Sequence, residues 1–582
     1  GGQILWEAYF EIANSYKEQK DYQKSLKNYK NSISVIEDIR SKIKLEELKA
    51  SYLGANKRIE AYHNLIDLLV KLHQANPEKA YDVEAFNYLE RAKARAFLDS
   101  LEVSEVNVSQ GVNSELLNQE RELIKELSNL YVKLLAQELS QEQKDNLNEE
   151  LKSHEHRLES LRREIRTTSP VYAGLKYPQI ISLEEAQEEL IDNETGFFEY
   201  LIGKDCSYAF VVTKKTIKIF KLPSAREIRR KVSDYIKAIT DRDNRDFKLG
   251  YELFSTLVLP GLNKKIKKII FAPDDILHFL PYETLISKRS ENEWLIKNYR
   301  IAYAPSISSL SEIIQHKKLR EQRPQKDIVA FGDPFFGVHE TVQNGGDLFQ
   351  DYYSSNAFNF FRLKYSGDEI DRIASLFSKT KIYAAKRKKA TEERLRELIL
   401  DDYKILHFAT HCLIDDKKPA RSSIVLSLGN NDTEDGFLQM REIFNLKLNA
   451  DLVTLSACQT GLGQFIRGEG IEGLNRAFFY AGTTSVLMSL WAVNDQATSH
   501  LMQRFYTRLR SSESIISALQ KAKLELISSD TLSHPYYWAG FVVTGKTDEV
   551  IFPSNKNKWV LLIALFFTAS GIIVLIRLKN KN

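Results

Sequence analysis

The stretch "HFATHC", residues 407–412, places two imidazoles and a thiol within six residues. Histidine and cysteine side chains bind zinc, and together they also serve as base and nucleophile. The residues "DYKILHFA" predict a buried β-strand. On a strand His407 and His411 lie ~13 Å apart, too far for one ion that binds imidazole at ~2.1 Å. The spacing disfavours a two-histidine metal site, favours His407 as a core residue and places His411 at a strand end, where catalytic groups project.

A second predicted strand also ends at a thiol. In "ADLVTLSACQTGLG", residues 450–463, an apolar run leads through Cys458 into a glycine-containing loop. A cysteine in this setting can simply be a buried packing residue. A thiol becomes a strong nucleophile only as thiolate, which a neighbouring imidazole favours. His411 therefore makes Cys458 a candidate nucleophile. If the two strands are neighbours, Cys412 and Cys458 also come within disulfide reach, and we hypothesise that oxidation would pair them and switch an enzyme off.

The elements that must position these residues form an α/β domain. Between about 180 and 550, short apolar runs rich in β-branched and aromatic residues alternate with helical patterns. Runs with little polar alternation are typical of strands buried on both faces, and intervening helices favour a mainly parallel sheet flanked by helices. Sites in such sheets lie beyond the carboxyl ends of the strands, where His411 and Cys458 are predicted.

The first 175 residues predict only helices. Within residues 1–100, "EAYFEIANSYKEQKDYQKSLKNYKNSISV" repeats apolar and small residues at helical spacing and resembles a tetratricopeptide repeat, with Lys20 in the turn where that family often has glycine. A generic helical bundle is the alternative. Residues 101–175 predict a linker and then a hairpin of two amphipathic helices, because leucines recur at helical spacing and residues 114–166 contain neither glycine nor proline.

Composition excludes several classes of protein. The 82 basic and 78 acidic residues nearly cancel, so we expect no direct binding of nucleic acid through bulk charge. Three cysteines make no disulfide framework. Residues 559–576, "WVLLIALFFTASGIIVLI", carry no charge and predict a membrane-spanning helix ~27 Å long. We therefore expected a single-pass membrane protein, with the side of the membrane left open; a buried core helix is the alternative.

Several stretches, in order along the chain, carry a family resemblance. They are "LERAKARAFLDSL", "LPYETL", "IAYAPSISSL", "KILHFATHC", "DGFLQMREIFNLKLNADLVTLSACQTGLG", "GEGIEGLNRAFFYAGTTSVLMSLWAVND" and "HPYYWAGFVVTG". The chain resembles the CHAT domain, a caspase-like peptidase domain related to caspases and separase that often follows tetratricopeptide repeats. The resemblance implies a caspase-like fold over residues 176–550. The separation of 47 residues between His411 and Cys458 is close to the ~50 of caspases.

The resemblance also implies roles for residues. Cys458 would be the nucleophile, His411 would handle protons, and the backbone N–H groups of Cys412 and Cys458 would form the oxyanion hole. The family usually has glycine directly after the catalytic histidine, where this chain has Cys412. Asp495, in the loop after "SLW", is a candidate to receive a basic side chain at the substrate's P1 position, and capping of the next helix is the alternative role for Asn494 or Asp495.

The sequence thus predicts a membrane-anchored cysteine endopeptidase with a Cys–His dyad and neither cofactor nor metal. Its expected partners are a protein or peptide substrate, a regulatory protein bound by the helical repeats, and the membrane. The alternative is a weakly active or inactive CHAT scaffold for protein–protein interaction.

Overall fold

A computed structural model describes residues 2–41, 58–93, 114–135, 140–168, 180–288, 293–318, 322–336, 360, 362–415, 418–427, 435–456, 464–466 and 470–554. Cys458 and the predicted membrane-spanning segment 559–576 lie outside these ranges.

The N-terminal part of the chain is helical, as predicted. Its first four helices are α1 (Gly2–Glu18), α2 (Tyr22–Ser41), α3 (Arg58–Ala75) and α4 (Tyr81–Ala92). Helices α1 and α2 pack as an antiparallel pair through the small residues Ala13 and Ser25, whose hydroxyl donates to the Ala13 carbonyl at 2.8 Å. Lys20, in the turn between them, has a φ of 63°, the left-handed conformation that glycine adopts most easily.

Two long helices form the predicted hairpin. Helices α5 (Ser114–Leu135) and α6 (Gln141–Thr168) share a small core of their own. That core contains Leu123, Ile124, Leu127, Leu130, Leu151, Leu158, Leu161 and Ile165. The leucine spacing in the sequence therefore identified the apolar face correctly.

Within the described ranges, an eleven-stranded sheet dominates the rest of the chain, in the order β3-β2-β1-β4-β7-β18-β17-β14-β10-β8-β9. Its strands are β1 (Thr195–Leu201), β2 (Ser207–Val212), β3 (Ile217–Leu222), β4 (Lys268–Ala272), β7 (Arg300–Tyr303), β8 (Lys326–Pro334), β9 (Ile382–Arg387), β10 (Tyr403–Ala409), β14 (Leu452–Leu455), β17 (Ser485–Ser489) and β18 (Phe541–Gly545). Neighbours pair in parallel except β3–β2, β2–β1 and β18–β17. The antiparallel β17–β18 pair joins two parallel halves of opposite direction.

Three smaller sheets complete the strands of the described chain. One is three-stranded, with β11 (Cys412–Leu413), β12 (Ser423–Val425) and β13 (Phe437–Gln439); the others pair β5 (Ile286–Lys288) with β6 (Glu293–Trp294) and β15 (Gln464–Ile466) with β16 (Gly470–Glu472).

Helices separate the strands and cover the sheet. They are α7 (Leu183–Glu189), α8 (Ala225–Thr240), α9 (Lys248–Leu257), α10 (Ile307–Lys318), α11 (Lys364–Ser375), α12 (Glu392–Glu397), α13 (Met440–Ile443), α14 (Leu474–Ala481), α15 (Asp495–Arg510), α16 (Ile515–Ile527) and α17 (Pro535–Trp538). The mainly parallel α/β architecture predicted from the sequence is confirmed.

The N-terminal helices and the sheet share one hydrophobic core. Trp6, Leu65 and Phe86 of the helices belong to the same buried cluster as Phe210 and Ile270 of the strands. The helices therefore pack against one face of the β1–β7 half of the sheet, as a continuous apolar interface rather than as a tethered appendage.

The predicted membrane localisation needs correction. Across the residues that the structure describes, no helix combines the length and the apolar character needed to cross a bilayer. The prediction of a span at 559–576 rested on the length of this run and its lack of charge, and the run lies outside the described residues. The membrane anchor, the membrane partner and the membrane localisation are accordingly not retained.

Candidate active site

The candidate site begins where two parallel strands end side by side. Strands β10 and β14 pair in parallel, with Phe408 opposite Leu455, and the Ser456 N–H donates to the Phe408 carbonyl at 2.8 Å. His411 follows β10 by two residues, and position 458 follows β14 by three. The strands that precede His411 and Cys458 in the chain are thus neighbours in the sheet. Cys458 itself is outside the described residues.

His411 lies beyond β10 rather than within it. The strand ends at Ala409, and His411 precedes the short strand β11. The strand that the sequence predicts to end at His411 therefore stops two residues earlier. His411 is 9% exposed as a whole residue, and its ring lies 5.4 Å from the ring of Phe336 and 5.6 Å from that of Phe360, centroid to centroid. The imidazole is therefore packed beside two aromatic rings just beyond the end of a strand.

His407 is a core residue, as predicted. It is fully buried, with Nε2 2.8 Å from Oε1 of Glu369 and Nδ1 3.0 Å from the hydroxyl of Tyr506. Tyr506 donates in turn to Oγ1 of Thr454 at 2.9 Å. Both imidazole nitrogens are engaged inside the protein, so His407 links β10 to α11 and α15 and takes no part in a surface site.

Cys412 occupies extended backbone. It forms β11 with Leu413 and pairs with Ile424 of β12, and its side chain packs against the main core. Cys412 is not among the described non-glycine residues with positive φ. The position therefore does not need the conformational freedom of glycine, and the cysteine found there is compatible with the local backbone.

Asp495 begins a helix without capping it. Asn494 is the N-cap of α15, and its side chain accepts from the Ala497 N–H at 3.0 Å. Oδ2 of Asp495 instead accepts from the Tyr365 N–H at 2.9 Å, at the start of α11. Burial raises the pKa of Asp495 to about 7, and the nearby carboxylate of Glu369 adds to the rise. Capping thus belongs to Asn494, and Asp495 is left as a half-buried acid near the carboxyl ends of the strands.

The sequence did not reveal a cluster of charged side chains at the carboxyl end of β8. Asp333, near the end of β8, is buried and receives two hydrogen bonds of 2.9 and 2.8 Å from Arg362 and one of 3.1 Å from Arg387. A Cβ at Gly367 would come within 3.0 Å of Oδ2 of Asp333, so glycine gives the carboxylate its room. These residues are scattered along the chain and share no local motif, which is why spacing did not reveal them.

The described residues contain no candidate metal site. In the parts of the chain that the structure covers, no group of three or more histidine, cysteine, aspartate or glutamate side chains is arranged to hold a metal ion.

Residues 248–546, just over half of the chain, match the CHAT domain. The chain belongs to the CHAT family. Over 118 residues it is 33% identical to mouse (Mus musculus) tetratricopeptide repeat protein 28, covering 20% of this chain and 5% of that protein. Over 321 residues it is 26% identical to human (Homo sapiens) tetratricopeptide repeat protein 28, covering 50% and 12%. The CHAT chain thus spans only a small part of the length of these curated relatives.

Solved structures also resemble this CHAT protein. Two crystal structures of the Saccharomyces cerevisiae separase–securin complex align over 94% of this chain and 47% of theirs, at 12% and 11% identity and TM-scores of 0.36 and 0.38. The Arg-specific cysteine proteinase gingipain R aligns over 56% and 76%, at 8% identity and a TM-score of 0.33. These scores are low, so the family assignment rests on the sequence match.

Proposed function

We propose that this CHAT protein is a cysteine endopeptidase that uses Cys458 as nucleophile and His411 as its proton partner. The parallel pairing of β10 with β14 is the observation that supports this most directly. It brings the chain to the same edge of the sheet two residues before His411 and three before Cys458. The resemblance to the CHAT family implies the same pair, and both residues lie within the matched region 248–546.

The proposed chemistry needs only these residues and water. With His411 protonated, the Cys458 thiolate attacks the scissile carbonyl, and backbone N–H groups of Cys412 and Cys458 hold the oxyanion. Collapse of the tetrahedral intermediate breaks the C–N bond, and His411 gives its proton to the leaving amine. Water then attacks the thioester while His411 accepts its proton, releasing the acid and restoring the thiolate–imidazolium pair.

Asp495 is our candidate for the recognition of a basic P1 side chain. Its carboxyl is half-buried and stands among other acids, including Glu369 and Asp333. A cationic side chain placed beside it would favour its ionised form and be attracted by it. A basic P1 preference is therefore proposed together with the peptidase activity.

We further propose that a protein bound to the N-terminal helices regulates the activity. Helices α1–α4 share a core with the β1–β7 half of the sheet. A partner that shifts these helices must also repack strands of the catalytic domain, since well-packed cores do not deform continuously. This coupling is what the proposal rests on.

The decisive experiment compares protein N-termini in cells that express the chain or its Cys458→Ala variant. We expect new N-termini that depend on Cys458, disappear with His411→Ala and persist with His407→Gln. Candidate partners of the helices are co-expressed in every arm. If no cleavage depends on Cys458, the endopeptidase proposal fails and the scaffold alternative replaces it.

A further inference from the structure

We propose that Glu155 of the helical hairpin is a positioning residue for His411. The inference rests on the proposed peptidase function and adds a residue that lies outside the matched CHAT region. It starts from an ionic contact between α6 and the loop that follows His411.

Glu155 binds two basic residues of that loop. Its Oε1 accepts from Nε and an Nη of Arg421, at 3.0 and 2.7 Å, and its Oε2 accepts from Nζ of Lys418 at 2.5 Å. The Arg421 side chain is only 7% exposed, and that of Glu155 is 25% exposed. A paired carboxylate and guanidinium with this little solvent hold a defined geometry, whereas exposed pairs do not.

Burial opposes the ionisation of Glu155, but the hydrogen bonds from Lys418 and Arg421 outweigh it and lower the pKa of the carboxyl. The contact is therefore ionised across the neutral range.

The loop transmits the contact to His411. Arg421 ends a short 3-10 helix that begins at Pro419. The Oγ of the next residue, Ser422, accepts a hydrogen bond of 3.0 Å from the Asp415 N–H. Strand β12 follows at once, and the Val425 N–H donates to the carbonyl of His411 at 2.9 Å. Only three residues thus separate Arg421 from Val425, the residue bonded to the His411 backbone.

A second link fixes the residues on both sides of His411. The hydroxyl of Thr410 donates to the Val425 carbonyl at 2.5 Å, and Cys412 pairs with Ile424. Strand β12 therefore holds residues 410–412 as a unit. A shift of β12 would move the imidazole and the proposed Cys412 oxyanion donor together.

The hairpin is otherwise organised around its own core. Glu155 connects this separately packed hairpin to residues 418–421. We infer that the hairpin aligns the catalytic histidine through this ion pair.

The test measures the alkylation rate of Cys458 by iodoacetamide between pH 5 and 9 in the full chain, resolved by peptide mass spectrometry, alongside hydrogen exchange of residues 410–427. In the wild type, His411 should stabilise the Cys458 thiolate at pH 6. The alkylation rate of Cys458 at pH 6 should therefore be at least tenfold higher in the wild type than in His411→Ala. Glu155→Gln should lower the rate at pH 6 by at least fivefold and increase exchange in 410–427. Glu155→Asp should restore most of the rate, because it keeps the charge.

Glu149→Gln, an exposed position on the same helix, is the matched control and should leave both measurements unchanged. If His411→Ala does not alter Cys458 reactivity in the wild-type background, the peptidase proposal fails, and the positioning role fails with it. If His411→Ala alters reactivity but Glu155→Gln does not, the peptidase proposal stands and the positioning role is overturned. Increased exchange without a change in reactivity also overturns it, because the contact would then be structural only.

Discussion

Oδ1 of Asp67 in α3 accepts a hydrogen bond of 2.7 Å from the hydroxyl of Tyr208 in β2, which joins the N-terminal helices to the sheet. Oδ2 of the same carboxylate accepts from Nζ of Lys17 and of Lys71, each at 2.8 Å. One buried acid therefore connects two of the N-terminal helices with an outer strand of the sheet.

Loss of this carboxylate should loosen the helices from the sheet. Asp67→Ala should lower the free energy of unfolding by about 2–3 kcal/mol, because hydrogen bonds to charged groups are each worth about 1.5–3 kcal/mol. Tyr208→Phe removes one of these bonds and should cost about 1.5 kcal/mol, less than the loss of the whole carboxylate. Urea unfolding, together with hydrogen exchange in α3, measures both. An Asp67→Ala protein as stable as the wild type would contradict the proposed linkage.

The stabilising effect of Asp67 should also depend on pH. Burial opposes its ionisation, but the bonds from Lys17 and Lys71 hold its pKa below the usual 3.8. An acid with a depressed folded-state pKa stabilises the fold above its unfolded pKa, and that contribution is lost as pH falls. The stability difference between wild type and Asp67→Ala should therefore shrink as the pH is lowered below about 4.

The two histidines of "HFATHC" should separate stability from chemistry. His407→Ala should lower the free energy of unfolding by about 3 kcal/mol, because it opens a cavity and leaves Glu369 buried without its imidazole partner. His411→Ala should cost under about 1 kcal/mol and abolish Cys458-dependent cleavage. Chemical denaturation and cleavage are measured on both variants. The assignment is reversed if His407 proves dispensable for folding while His411 proves essential for it.

Cleavage after basic residues should increase with pH through the ionisation of Asp495. With a pKa of about 7, the carboxyl gains its charge between pH 6 and 8, so KM for peptides with lysine at P1 should fall roughly tenfold over that range. Asp495→Asn should raise KM and remove this dependence. The exposed neighbour Asp368, replaced by Asn, is the control and should keep it, with a slightly lower midpoint. The comparison peptide has a neutral residue at P1. If it is cleaved as well as the lysine peptide at both pH 6 and pH 8, Asp495 does not recognise the P1 side chain.

The raised pKa of Asp495 should also make the stability of the fold depend on pH. A folded-state pKa raised above the unfolded value means that the folded protein binds the extra proton, so stability falls as pH rises between about 4 and 7. Asp495→Asn should therefore be stabilising at pH 8 relative to the wild type, while the two proteins converge at low pH. Thermal unfolding across this range checks the sign.

Replacement of Cys412 by glycine tests whether the cysteine affects activity at a position where the CHAT family usually has glycine. Because Cys412 lies in extended backbone, Cys412→Gly should cost about 0.5–1 kcal/mol in stability and change Cys458-dependent cleavage less than about twofold. If oxidation pairs Cys412 with Cys458, this variant should also resist inactivation by oxidant, which mass spectrometry of non-reduced peptides checks directly. A large gain in activity for Cys412→Gly would show that the cysteine side chain obstructs the site.

The amino-acid pattern alone determined the order and type of the main elements. Apolar runs without polar alternation identified most strands of the sheet, from "GFFEYLI" to "TSVLMSLW". A strand buried on both faces has apolar residues at successive positions, so it stands out in the sequence as one continuous apolar run. Leucine spacing identified the hairpin core for the same local reason. Local pattern also separated the two histidines, because it placed His407 inside the strand and His411 at the strand's end.

Tertiary structure decided which of these pieces meet. That β10 lies between β14 and β8, that the sheet reverses direction at β17–β18, and that Asp333 gathers Arg362 and Arg387 depend on pairings between residues far apart in the chain. The same holds for Glu155, which reaches Arg421 across 266 positions. Such contacts leave no periodic signal in the sequence, because each is fixed by the packing of whole elements rather than by the residues beside it.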